Sequence, residues 1–65
     1  MITIRLRALL EERNMSQSEL SRITKIRPST ISDLCNNNSN FIKLEHIYLI
    51  CTALMCSIDE LLKLS

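Results

Sequence analysis

The stretch MSQSELSRITKIRPSTISDL, Met15 to Leu34, decides how the whole chain reads. It opens on Ser16-Gln17-Ser18-Glu19, the form of a capping box: a serine hydroxyl accepts from the amide three residues on, and the glutamate reaches back to the serine amide. A helix starts there and carries Leu20 and Ile23 on one side. Pro28 disfavours helical backbone at Arg27 and suits the first turn of a new helix. The helix that starts at Ser16 therefore ends near Thr24, a turn of a few residues follows, and another helix runs from about Pro28 to Asn36.

Outward from this pair the apolar spacing stays helical. Upstream, Leu6, Leu9, Leu10 and Arg13 place a first helix from about Arg5 to Asn14, after an extended-looking Ile2-Thr3-Ile4. Downstream, NNNSN from Asn36 to Ser39 and Asn40 reads as the one real loop, because asparagine tolerates left-handed backbone better than any other residue but glycine. Phe41, Ile42 and Leu44 lead into EHIYLICTALM, where Ile47, Ile50, Cys51 and Leu54 form a stripe that Tyr48, Leu49 and Met55 widen. Ser57-Ile58-Asp59-Glu60 is a second capping box, opening a last helix through Leu61, Leu62 and Leu64. The expected architecture is a single all-α domain over residues 1–65, five short helices including a helix-turn-helix. The ends, ITI and KLS, could add a small β-pairing.

Composition excludes several classes. With 46% hydrophobic and 23% charged residues the chain is globular, and at 65 residues its core is small enough that a partner subunit would help. No apolar run approaches a membrane span and Arg5 and Arg7 interrupt any leader-like start, so a cytoplasmic protein is expected. The 3 cysteines lack paired zinc spacings and a single histidine could join them, so no metal or cofactor is expected, and the thiols read as packing residues. No catalytic triad, glycine-rich phosphate loop or carboxylate pair emerges, which argues against an enzyme. The net charge of +1 says little about nucleic acid, but Arg22, Lys25 and Arg27 cluster without an intervening acid, whereas acids dominate the last third.

On the wheel of the third helix Ile31 and Leu34 face inward, leaving Pro28, Ser29, Ser32, Asp33 and Asn36 opposite. Small polar side chains allow close approach to base edges in a DNA major groove and can bond to them. The N-termini of the second and third helices would offer amides to phosphates, with Ser16 and Gln17 adding donors and Lys25, Arg27 and Lys43 adding charge. The same face would also suit the solvated side of any amphipathic helix.

At these residues the chain resembles the Cro and phage-repressor helix-turn-helix family, also called the XRE family. The likeness covers nearly the whole chain and is carried by Ser16-Gln17 before Glu19-Leu20, by Ser29-Thr30-Ile31-Ser32, by Ala53-Leu54 and by Ser57-Ile58-Asp59-Glu60-Leu61. The resemblance implies a lambda-repressor-like fold that binds a double-stranded DNA operator, commonly as a homodimer, and regulates transcription, most simply as a repressor. Carried over by position, Pro28, Ser29 and Asp33 would read bases, with Arg27 and Ser32 close by, and Gln17, Asn36, Asn40 and Lys43 would contact phosphates. No small-molecule effector is implied. The alternative is a protein-binding module on this fold, such as an antirepressor or an antitoxin.

The chain departs from that family in having no glycine. Lys25 and Asn37 stand where the family usually has one, and a lysine at positive φ costs on the order of 1 kcal/mol. Leu10 and Cys35 replace a common arginine and glutamate pair, so Cys35 is expected to pack near Leu10. Cys51 and Cys56 match small buried positions, and His46 reads as a surface residue. A surplus of apolar groups at Tyr48, Leu49, Met55, Leu62 and Leu64 marks a candidate dimer interface, with Tyr48 equally readable as core.

Overall fold

Both capping boxes form. Ser16 Oγ accepts from the Glu19 amide at 3.1 Å while Glu19 Oε1 accepts from the Ser16 amide at 3.4 Å, and Ser57 with Glu60 repeats the arrangement. A computed structural model describes residues 2–38 and 41–64. In chain order these hold β1 (Ile2–Ile4), α1 (Leu6–Glu12), α2 (Gln17–Thr24), α3 (Pro28–Cys35), α4 (Leu44–Leu54), α5 (Ile58–Leu61) and β2 (Leu62–Leu64). Among the described residues no helix is long and apolar enough to cross a membrane.

The apolar stripes meet in one core. Leu6, Leu9 and Leu10 of α1, Leu20 of α2, Ile31, Leu34 and Cys35 of α3, Ile47, Ile50 and Leu54 of α4 and Leu61 of α5 are buried together. Leu10 and Cys35 thus share the core, as the missing ion pair implies. On α2 the inward partner of Leu20 is Thr24, one helical turn on, and Ile23 is 49% exposed. Thr24 is tolerated inside because its hydroxyl donates to the Leu20 carbonyl at 2.7 Å. Cys51 and Cys56 are only half-buried, packed against the core from outside.

The last helix is one turn shorter at its end than its leucines suggest. Leu62 has φ −114° and ψ 124°, and from there Leu62–Leu64 runs antiparallel to β1, with Ile2 opposite Leu64 and Ile4 opposite Leu62. Ile4 and Leu62 pack against the core and Thr3 and Lys63 take the other face, so period two replaces the helical period. Arg13 ties the far side together: its Nε donates to the Leu54 carbonyl at 2.7 Å, satisfying an otherwise open group at the α4 C-terminus, and its Nη2 lies 3.9 Å from the Glu60 carboxylate.

Among the described residues four non-glycine residues hold positive φ: Asn14 at 53°, Lys25 at 65°, Asn37 at 56° and Met55 at 53°. Each ends a helix, so a chain without glycine makes its left-handed stops with whatever residue stands there. Lys25 and Asn37 do so where the family resemblance places glycine.

Candidate nucleic-acid interface

The turn between α2 and α3 is anchored by a residue that the sequence pattern left aside. Ile26 is 4% exposed and enters the core, and both of its backbone groups are met by α2 side chains. Its N–H donates to Thr24 Oγ1 at 3.3 Å and its carbonyl accepts from Ser21 Oγ at 2.6 Å. With Ile26 pinned and Lys25 left-handed, α3 leaves the turn in one direction.

Arg27 caps α3 without a side-chain hydrogen bond and Pro28 follows at its first position. Proline has no N–H, so the amides next along, at Ser29 and Thr30, are the ones this end offers outward. Ile31 and Leu34 fasten the helix beneath, with 0% and 1% exposure. Arg27, Pro28, Ser29, Asp33 and Asn36 are exposed and Ser32 is half-buried, so these six residues lie on the outer side of one anchored helix.

The start of α2 differs from the expectation of free amides. Ser16 already occupies the Glu19 amide and Glu19 occupies that of Ser16, leaving Gln17 and Ser18 as the open backbone donors. Ser16 is exposed and Gln17 half-buried. Lys25 and Lys43 are exposed, while Asn40 lies outside the described residues.

Arg7 is a cation that reading along the chain missed. Its guanidinium donates to the Asn36 side-chain oxygen, and the Asn36 amide donates to Ser32 Oγ at 3.5 Å, giving a polar chain along the last turn of α3. Twenty-nine residues separate Arg7 from Asn36, and no local pattern signals the contact. Arg7 also offsets part of the effect of burial on Cys35, whose thiol is raised chiefly by loss of solvent.

No group of three or more potential metal ligands occurs among the described residues. What the surface offers is an anchored helix with small polar side chains outward, bordered by Lys25, Arg27 and Arg7. That arrangement suits a polyanion with readable edges.

Comparison with known proteins agrees. The Cro/C1-type helix-turn-helix DNA-binding domain matches residues 5–65. A candidate DNA-binding protein from Bacteroides fragilis superposes with a TM-score of 0.87 at 22% identity, covering 97% of this chain and 100% of that one. The transcriptional regulator VanUg superposes with a TM-score of 0.78 at 27% identity, covering 95% of this chain and 81% of its own. Among curated proteins none matches in sequence.

Proposed function

Because the chain belongs to the Cro/C1-type helix-turn-helix DNA-binding family, we propose that it is a sequence-specific transcriptional regulator that places α3 in the major groove of an operator. The observation that carries this is the contrast across α3: Ile31 and Leu34 lock one side into the core while Ser29 and Asp33 stand exposed on the other. In this reading Arg27, Pro28, Ser29, Ser32 and Asp33 meet base edges. Ser29 bonds to either partner of a pair, Asp33 accepts from a cytosine amine, and the proline ring offers an apolar contact to a thymine methyl.

Phosphates on either side are met by Ser16 and Gln17 at the start of α2, by Lys25, by Asn36, and by Asn40 and Lys43 ahead of α4. These contacts set register and carry no sequence information. Occupying an operator excludes polymerase from overlapping DNA, so repression is the simplest outcome.

The regulator acts as a homodimer, so that two copies of α3 reach successive turns of the groove. Supporting this, Tyr48 is 68%, Met55 89% and Leu64 79% exposed, large apolar groups that a lone chain leaves in water. Leu49 and Leu62, from the same expected set, are half-buried and packed against the core, so they would support such a surface from beneath.

Selection from a library of random duplexes at physiological salt tests the proposal. A dimeric reader enriches a two-fold-related site with half-sites about 10 base pairs apart. No enriched sequence from folded protein would refute base reading and favour a protein-binding module.

A further inference from the structure

A groove of about 530 Å³ opens between the α2–α3 turn and the start of α4. Lys25 and Arg27 line it from the turn, Lys43 and His46 from the α4 side, with Thr30 on α3 and the half-buried Ile42 beneath. No lining residue is acidic. Among the described residues, the ion pairs involve only Arg5, Arg13, Glu12 and Glu60, so neither lysine is neutralised by a carboxylate.

The helix beside it adds to the field. Lys43 is the N-cap of the eleven-residue α4 and makes no side-chain cap bond, so the positive end of that helix is open at the groove. Like charges gathered from separate elements repel one another in the free protein, and a single anion relieves all of those repulsions together.

We propose that this groove clamps one backbone phosphate of the bound duplex, shared between Lys25 and Lys43, with Thr30 and His46 around it. The assignment rests on the DNA-binding reading and deepens it: one strand passes between the α2–α3 turn and α4, joining two elements across a single phosphodiester. A phosphate held jointly has a consequence that two separate contacts lack. Losing either lysine weakens the same contact, and losing both removes one phosphate from the interface.

The salt dependence of binding counts phosphates. For duplex DNA the slope of log K against log salt changes by about 0.9 for each phosphate neutralised. The probe is the selected operator duplex, titrated with wild type, Lys25→Gln, Lys43→Gln and the double variant, each checked for helical content. Glutamine keeps the side-chain stem and a β-carbon at position 25, so backbone strain there is unchanged. The double variant is expected to lose about 0.9 of slope, and each single, with one lysine still on the phosphate, to lose less than that.

A loss of about 1.8 in the double, the sum of two full single losses, means separate phosphates and overturns the clamp while leaving DNA binding intact. No change of slope overturns it also. Inorganic phosphate, titrated against the backbone amide signals of residues 43–46, tests a free anion as the occupant: saturation below millimolar concentration would overturn the assignment to duplex, and shifts seen only with duplex support it. Failure of folded wild type to bind any duplex would sink the DNA-binding reading and the clamp together.

Discussion

The side-chain amide of Asn37 pairs with both backbone polar groups of Ile4. Its Oδ1 accepts from the Ile4 N–H at 2.8 Å and its Nδ2 donates to the Ile4 carbonyl at 3.1 Å. In an antiparallel ladder alternate residues turn these groups toward and away from the partner strand. The Arg5 N–H donates to the Leu61 carbonyl at 2.7 Å, so Ile4, the residue before it, turns its groups outward. Asn37 thus does for that edge of β1 what another strand would do, while holding φ at 56° to end α3.

Asn37→Ala should therefore lower stability by about 2 kcal/mol, since it removes two hydrogen bonds and puts a less tolerant residue at positive φ. Asn37→Asp keeps the acceptor but presents a carboxylate oxygen to the Ile4 carbonyl, and should be at least as damaging. Urea denaturation checks both. A loss below about 0.5 kcal/mol for alanine would mean that the Ile4 groups are equally well met by water.

Ser29→Ala and Asp33→Ala should change which operator is preferred, each at a cost of about 1–3 kcal/mol toward the favoured base pair, with stability altered by no more than about 0.5 kcal/mol. Parallel selections with each variant read this out. Uniform weakening toward every sequence would place these side chains on the backbone instead.

Met55 ends α4 at φ 53° with 89% of its surface exposed in the single chain, so at concentrations too low for dimers its side chain has little packing to lose. Met55→Gly relieves the left-handed backbone and costs chain entropy in the unfolded state, for a net gain of about 0.5–1 kcal/mol. A higher melting temperature is expected. A decrease would mean that Met55 is covered in the working protein, and comparison across concentrations would show it.

The Cys56 thiol is pushed up from 9.0 to about 11, chiefly by burial and further by Cys51 beside it. The folded protein then binds a proton that the unfolded chain releases near pH 9, so this contribution to stability is complete below that pH and is lost as pH rises toward 11. Unfolding midpoints should be flat from pH 7 to 8.5 and fall above 9, less steeply in Cys56→Ala. Cys35, raised by burial as well, contributes in the same sense. An equal fall in the variant would assign it to other groups.

The parts legible in the sequence are those whose partners lie within a few residues. Ser16 with Glu19, Ser57 with Glu60, and Pro28 ahead of Ile31 and Leu34 are local devices, and they place α2, α3 and α5. The left-handed turn at Asn37 follows from the asparagines themselves, whereas the one at Lys25 is implied only by the family resemblance. The contacts that finish the surface join distant positions: Arg7 to Asn36, Asn37 to Ile4, Arg13 to Leu54. Ile26 was hidden for another reason, since a single apolar residue between helices has no period. Leu62 and Leu64 fit either a helix or a strand, and only the presence of Ile2–Ile4 alongside decides between them.

The two strands also bear on how the molecule is made. Joining Ile2 to Leu64 closes nearly the entire chain into one loop, the entropically dearest contact in the fold, whereas α2 meets α3 across a three-residue turn. The helix-turn-helix can therefore assemble early, with the strands zipping last and opening first. Amide protons of β1 and β2 should exchange with solvent through such openings while α3 remains folded, which keeps that helix anchored during the commonest excursions of the native state.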